Sequence, residues 1–176
     1  MVEFGEPLED VIKGLRDVAR AHDADGSIVV VGLDGLPHAA LTLEVTETGQ
    51  LVSSPGKIAM MQALAARGIK VSIDDYGTGH ATLEYLKLLP SHEVKIDKKF
   101  VSAVDRDGPD RILVASTIDV AHNLGRAVVA EGVETEAVRQ ILADMGCDVV
   151  QGFLIGKPIG FPALKSMIEA QKRAAA

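Results

Sequence analysis

The sequence predicts a parallel α/β fold and, within that class, a (β/α)₈-type barrel. From residue 39 onward, short apolar runs alternate with helical segments, as in chains whose parallel strands are joined by helices. The runs are apolar at nearly every position, which is typical of strands buried on both faces of a sheet. Each run also carries a polar residue at or near its end, and a ring of such residues around one mouth is typical of a barrel enzyme.

An open, doubly wound sheet is the alternative architecture. Such a sheet gathers its chemistry at one crevice and usually carries a glycine-rich phosphate loop after its first strand. The sequence contains no loop of that kind, and its polar strand-end residues are spread over five strands. We therefore expect the barrel.

The strands of the repeat are short and rich in Val, Ile and Leu, and we place them at Ala40–Val45, Ile69–Ile73, Glu93–Ile96, Ala127–Ala130 and Asp148–Phe153. The helices between and after them are predicted at Pro55–Arg67, Ala81–Leu89, Pro109–Leu124, Glu136–Met145 and about Phe161–Lys172. Pro55, Pro109 and Thr135 are typical first or capping residues of a helix. Glycine follows three of the helices, where a left-handed C-terminal cap favours it: Gly68, Gly125 and Gly146.

The first 38 residues fit the repeat less well. They predict a helix over Leu8–His22 and a strand over Ser27–Val31, and the turn at residues 34–37 is too short to hold another helix. We therefore expect an incomplete barrel of six or seven strands within one domain. Residues 1–38 form its divergent N-terminal helix and strand, and residues 39–176 form the barrel portion that carries the site.

Composition excludes several classes of function. The chain of 176 residues has a net charge of −7, which disfavours a groove for polyanions or an anionic membrane surface. It has no Trp and few other aromatic residues, so a base-stacking platform for a nucleic acid polymer is not expected. No apolar run is long enough for membrane insertion, and no signal peptide is recognisable. With a single cysteine, Cys147, we expect a cytoplasmic protein.

The adjacent carboxylates Asp74-Asp75 are the sharpest chemical feature. Two such neighbours repel each other unless one is protonated or a cation lies between them, although a turn or a helix cap is the structural alternative. Glu44 and Glu131 add oxygen ligands from other strand ends, a donor set that favours Mg²⁺, Mn²⁺ or Ca²⁺. Lys95 lies in an apolar strand, where it either reaches the surface or faces the carboxylates and stabilises developing negative charge.

Several segments together resemble the successive signatures of the EAL family. They follow the family's order and spacing between residues 39 and 160: Leu43-Glu44-Val45-Thr46-Glu47, Asp74-Asp75-Tyr76-Gly77-Thr78-Gly79, Leu83–Leu89, Val94-Lys95-Ile96-Asp97-Lys98-Lys99-Phe100-Val101, Val129-Ala130-Glu131-Gly132-Val133-Glu134-Thr135 and Gln151-Gly152-Phe153. The resemblance implies a barrel that hydrolyses cyclic di-GMP, a bacterial second messenger, to linear pGpG at a site with two Mg²⁺ or Mn²⁺ ions.

The resemblance also implies a role for individual residues. The metal ligands would be Glu44, Asp74, Asp75 and Glu131, with Asp74 bridging the two ions. Lys95 would orient the attacking water, and Lys95 and Glu131 would be the catalytic residues. Contacts to the substrate would come from Gln151, Gly77, Thr78 and Gly79. Supporting residues around the site would be Glu47, Asp97 and Glu134.

The sequence departs from the family pattern near its start. The Glu-Ala-Leu strand, whose Glu is a metal ligand, is not found, and Glu6 is its faint counterpart. Gly32 stands where the next strand has an Asn ligand. One metal therefore has two ligands instead of four and is expected to bind weakly.

Three functions remain open at this point. The first is a working cyclic di-GMP phosphodiesterase, and the second is a non-catalytic domain that binds cyclic di-GMP or a protein partner. The third, an enolase-like barrel with one metal, is disfavoured by the adjacent Asp74-Asp75 and the glycine loop after them. We also expect a homodimer, because the shortened N-terminal part leaves a strand edge beside the apolar residues Ile28–Val31.

Overall fold

The computed structural model describes residues 41–46, 55–77, 83–106 and 108–160, together with scattered positions between 162 and 173. Within this part of the chain, five strands form one parallel sheet: β1 (Thr42–Thr46), β2 (Lys70–Tyr76), β3 (Glu93–Ile96), β4 (Ala127–Ala130) and β5 (Val149–Val150). Their spatial order is the same as their order along the chain.

This strand order distinguishes a barrel from an open sheet. Each described strand pairs in parallel with the next one in sequence, and the order never reverses. A doubly wound sheet reverses its strand order at a switch point, whereas a (β/α) barrel adds each new strand on the same side. The described residues therefore form part of a barrel, as the sequence predicted.

The helices follow the strands in alternation, and their bounds are α1 (Pro55–Ala66), α2 (Leu83–Leu88), α3 (Lys98–Val101), α4 (Pro109–Asn123) and α5 (Glu136–Asp144). Thr135 caps α5, because its side chain accepts a hydrogen bond from the Val138 N–H at 3.3 Å. Gly68, Gly125 and Gly146 have positive φ values after their helices, as expected for C-terminal caps. None of the helices described is long and apolar enough to cross a membrane.

The core lies between the outer face of the sheet and the helices. Alternate residues of the strands point outward and are fully buried, among them Val71 and Ile73 of β2 and Val94 of β3. They pack against apolar helix residues such as Met61 of α1 and Ile118 of α4. The opposite face of the strands carries the buried polar residues Ser72 and Lys95. The helices therefore hold the strands in place while the inner face stays available for polar groups.

At the end of the sheet where β4 and β5 begin, the Asp148 side chain links α4 and β4 to the start of β5. Asp148 Oδ2 accepts hydrogen bonds from His122 Nε2 at 2.8 Å and from the buried Val128 N–H at 2.7 Å. Partial burial alone would raise the pKa of Asp148, but the hydrogen bonds from His122 and Val128 hold it below its usual value. Asp148 directly precedes β5, so its hydrogen bond with the N–H of Val128 in β4 fixes the register of β5 against β4.

Between Thr42 and Val150 the predicted elements agree with the described structure to within a few residues, and the helix predicted at about Phe161–Lys172 lies largely outside the described residues. Glu93–Ile96 and Ala127–Ala130 have the predicted bounds, whereas β2 continues to Tyr76 and β5 is shorter than its apolar run. Cys147 is half-buried against the core, and burial raises the pKa of its thiol, consistent with a packing role.

Other predictions concern parts of the chain outside the described residues. These are the helix at Leu8–His22, the strand at Ser27–Val31, the division at residue 38 and the edge at Ile28–Val31. Glu6 and Gly32 also lie there. That the chain lacks the family's Glu and Asn ligands at these two positions therefore stays a prediction.

Candidate metal centre

Polar side chains from neighbouring strands meet at one edge of the sheet, because parallel strands end on the same side. The residues at this edge are Glu44 in β1, Asp74 and Asp75 in β2, Lys95 in β3, and Glu131 directly after β4. The Glu131 N–H donates to the Ile96 carbonyl at 3.1 Å, which ties the end of β4 to the end of β3. Residues that are far apart in sequence are thus held side by side.

The Lys95 ammonium lies at the centre of this edge. Its Nζ is 2.9 Å from Glu44 Oε1, 3.0 Å from Asp74 Oδ1 and 2.7 Å from Glu131 Oε1. Only 6% of the Lys95 side chain is exposed, and a buried charge of this kind is stable only when it is paired. Burial alone would lower the pKa of Lys95, but its pairing with Glu131, Glu44 and Asp74 outweighs burial and raises the pKa well above its usual value. Lys95 is therefore a permanent cation and a donor.

Asp75 reaches the same edge because β2 is irregular. Successive side chains of a regular strand point to opposite faces, so Asp74 and Asp75 would otherwise face apart. The pairing of β2 with β3 shifts register between Ile73 and Tyr76, and Asp75 has a φ of 55°. Among the described residues, no other non-glycine residue has a positive φ. An irregularity of this kind redirects a side chain, and here it brings two adjacent carboxylates to one site.

Three of the carboxylates lie close enough to share a metal ion. Single oxygens of Asp74, Asp75 and Glu131 all lie within 4.8 Å of one another. Burial raises the pKa of Asp75, and so do the charge of Asp74, a hydrogen bond with Asp97 and the charges of Asp97 and Glu131. Each of these causes disfavours another negative charge at this point. A divalent cation would reverse the effect, because it attracts all of these carboxylates.

Asp97 joins the carboxylate cluster to the start of α3. Its Oδ1 accepts a hydrogen bond from the Lys99 N–H at 2.8 Å, which makes Asp97 the N-cap of that short helix. It also hydrogen-bonds to Asp75. Asp97 thus links the carboxylate pair to the backbone at the start of α3.

Two glycines allow the loop after β4 to approach its neighbours. Gly132 has a φ of 67°, and a Cβ at this position would lie 2.3 Å from the Cβ of Lys98. A Cβ on Gly152 would lie 2.3 Å from the backbone nitrogen of Val133. Any other residue at Gly132 would push the loop away from α3 and move Glu131, which directly precedes it. The Glu-Gly sequence at 131–132 is therefore a structural requirement of the site.

The structure brings together six of the predicted site residues: Glu44, Asp74, Asp75, Lys95, Asp97 and Glu131. Gln151 and Glu134 are exposed on the segments that follow β5 and β4. Gly77 lies against Phe100, where an added Cβ would come within 3.1 Å of the ring. Glu47, Thr78 and Gly79 lie outside the described residues, and their roles stay predictions.

Sequence reasoning missed two features of the site. It did not foresee that one ammonium contacts three carboxylates, or that a bulge turns Asp75 toward Asp74. A signal for the first was available, since Lys95 is a charged residue in an otherwise apolar strand. No residue in β2 signals the second, because Asp is only moderately tolerant of positive φ.

The donor set fits a divalent metal. Carboxylate oxygens are the ligands that Mg²⁺ and Mn²⁺ prefer, and all four carboxylates here lie at the mouth of the sheet. Asp74 Oδ1 is also a buried oxygen that has its ion pair with Lys95 but no well-directed hydrogen bond. Such an oxygen has coordination capacity left for a cation.

The sequence model of the EAL domain matches residues 28–158 of this chain. The bifunctional diguanylate cyclase/cyclic di-GMP phosphodiesterase MucR of Pseudomonas aeruginosa is 41% identical over 119 residues, 68% of this chain and 17% of that protein. The chain therefore spans under a fifth of that relative.

Solved structures give the same result. A complex of the MucR phosphodiesterase with cyclic di-GMP superposes with a TM-score of 0.68 at 40% identity, covering 73% of this chain and 52% of the other. Klebsiella pneumoniae BlrP1 in complex with manganese and cyclic di-GMP has a TM-score of 0.63 at 34% identity, covering 68% and 31%.

The bulge at Asp75 makes a prediction about stability. Asp75→Asn keeps a side chain that tolerates positive φ, whereas Asp75→Val places a β-branched residue there at a cost of about 1–3 kcal/mol. Both variants remove the same charge, so their difference isolates the backbone conformation. Urea unfolding in the absence of metal should show Asp75→Val clearly less stable than Asp75→Asn. Equal stability of the two variants would mean that residue 75 is not held in the left-handed region.

Proposed function

This chain belongs to the EAL domain family, and we propose that it acts on cyclic di-GMP, hydrolysing one of its phosphodiester bonds to give linear pGpG. The proposed cofactor is a pair of Mg²⁺ or Mn²⁺ ions. The observation that carries the proposal is the convergence of Glu44, Asp74, Asp75 and Glu131 around one buried lysine. The named phosphodiesterases that the chain resembles support the choice of substrate.

The four carboxylates would hold the ions, and Asp74 would contribute to both. Bound divalent ions would supply positive charge toward the phosphate and lower the pKa of a bound water. Glu131 would accept the proton of the attacking water. As the oxygen of that water bonds to phosphorus, the bond from phosphorus to the ribose oxygen breaks, and the ribose oxygen leaves as a hydroxyl after taking up a proton from solvent. Lys95 serves as a donor to the attacking water or to the charge that develops on phosphate, because an ammonium group offers N–H donors and a positive charge.

Nucleotide contacts are assigned to Gln151 and to the loop at Gly77, Thr78 and Gly79. Gln151 is exposed beyond β5, and its N–H donates to the Ala130 carbonyl at 2.9 Å, so its backbone position is fixed beside the end of β4. Gly77 directly follows β2 and the carboxylate pair. Asp97, Glu47 and Glu134 are proposed to support the site from around it.

We propose that turnover is slow. The first metal draws on Glu44 and Asp74, and its remaining family ligands are not found in the sequence. Loss of even a residue that supports a metal ligand typically lowers metal affinity or activity by about 10–100-fold, and loss of a ligand should cost at least as much. A domain that binds cyclic di-GMP without cleaving it is the second candidate, favoured by the same sequence departures at Glu6 and Gly32.

The proposed setting is cytoplasmic second-messenger signalling by a homodimer. The acidic composition and single cysteine support a reducing compartment. The strand edge expected beside Ile28–Val31 supports association, because unpaired strand edges favour it. Static light scattering at high micromolar concentration should give twice the mass of the chain. A monodisperse monomer would exclude the dimer and leave the proposed chemistry untouched.

Chromatography of the products tests the proposed reaction. The protein is incubated with cyclic di-GMP and millimolar Mn²⁺, and pGpG is quantified over time. Competent enzymes turn over at about 1 s⁻¹ or faster, and we expect a rate at least tenfold lower. Glu131→Gln should abolish pGpG formation, whereas Glu136→Gln, the same change at an exposed residue of α5, should not alter it.

The outcomes separate the two candidates. Binding of cyclic di-GMP in calorimetry without any pGpG would establish the non-catalytic domain. Turnover above about 1 s⁻¹ would show that the ligand set is complete and that residues 1–38 were misinterpreted. If the protein neither binds cyclic di-GMP nor forms pGpG, both candidates are contradicted.

A further inference from the structure

We propose that the Lys95 ammonium is the built-in counter-ion of the metal centre, which holds the carboxylates together without metal and competes with a divalent ion for them. The inference rests on the proposed function only in taking these carboxylates as metal ligands. It assigns Lys95 a role in setting metal affinity, in addition to its role toward water and phosphate.

Lys95 contacts as many carboxylate oxygens as it has N–H donors. An ammonium group has three N–H donors, and Lys95 Nζ contacts three carboxylate oxygens at 2.7–3.0 Å. Glu44, Asp74 and Glu131 therefore surround the ammonium, and the Asp74 contact is an ion pair without a well-directed hydrogen bond. An ammonium enclosed by three carboxylates at these distances is not free to approach a water molecule or a phosphate. Lys95 must release at least one carboxylate before it can act on the substrate.

The charges around Lys95 do not balance. One ammonium facing three carboxylates leaves net negative charge at a site where Lys95 is almost fully buried. Removing one partner from a buried ion pair is strongly destabilising, because the remaining charges are then unpaired. The carboxylates therefore depend on Lys95 when no other cation is present. A divalent ion provides the same attraction with twice the charge and can replace it.

The position of Lys95 also determines how far apart the carboxylates lie. The contacted oxygens come from β1, β2 and the residue after β4, while Lys95 lies in β3 between them. One ammonium thus sets the spacing of ligands that belong to separate strands. Asp75 is the one carboxylate of the cluster without an ion pair to Lys95 among the described contacts. An incoming ion can be bound by Asp75 first and then displace Lys95 from its neighbours.

Neutralising Lys95 tests the competition directly. Lys95→Met keeps an unbranched side chain, one atom shorter, and removes its charge, and Lys95→Arg is the matched control that retains the charge. In EDTA, Lys95→Met should melt at a lower temperature than the wild type. Calorimetric titration with Mn²⁺ alone should show affinity at least tenfold tighter than in the wild type, whereas Lys95→Arg should not gain affinity. Unchanged or weaker Mn²⁺ binding by folded Lys95→Met would overturn the proposal.

A measurement on the wild-type protein covers the case in which Lys95→Met does not fold. With ¹⁵N-labelled lysine, the ammonium signal of Lys95 should shift as Mg²⁺ is titrated, because its carboxylate contacts are exchanged. A signal that stays constant while Mg²⁺ binds would overturn the proposal, as would wild-type protein that binds neither metal.

These readouts need no cyclic di-GMP and no turnover. Tighter Mn²⁺ binding by Lys95→Met, in a protein that forms no pGpG, would support the counter-ion role and refute only the catalytic function. Formation of pGpG by the wild type, together with unchanged Mn²⁺ affinity in Lys95→Met, would refute only the counter-ion role.

Discussion

The ion pairs of Lys95 are the interaction on which the rest of the site depends. A nearly buried ammonium is stable in this position only because Glu44, Asp74 and Glu131 all reach it. That requirement constrains three strands at once, since the end of each must be level with Lys95 for its carboxylate to reach the ammonium. Parallel pairing in sequential order meets the requirement, because it aligns the carboxyl ends of neighbouring strands at one edge.

Local departures from regular structure complete the arrangement. The bulge in β2 turns Asp75 toward Asp74, although the two would face apart in a regular strand. Gly132 lets the loop after Glu131 lie directly against Lys98. These features strain or restrict the backbone at the site, while the regular strands below and the apolar core outside them provide the rigidity that holds it.

Much of the fold could be predicted from the sequence, because buried parallel strands are apolar throughout and glycine marks the helix ends. The strand-end position of each carboxylate could be predicted for the same reason. The bulge at Asp75 could not, since it depends on how β2 pairs with β3 and not on a residue type in β2. The triple contact of Lys95 could not be predicted either, because it depends on the distances between three separate strands.

The central claim is that this edge of the sheet is a divalent-metal site, and thermal unfolding with and without metal tests it most directly. Ligand that binds only the folded state raises the melting temperature, so millimolar Mn²⁺ should raise that of the wild type. Asp74→Asn should lose most of the rise, because Asp74 contacts Lys95 and lies within the shared cluster. Glu136→Gln, on the exposed surface of α5, should keep it. A melting temperature that Mn²⁺ leaves unchanged in the wild type would contradict the claim.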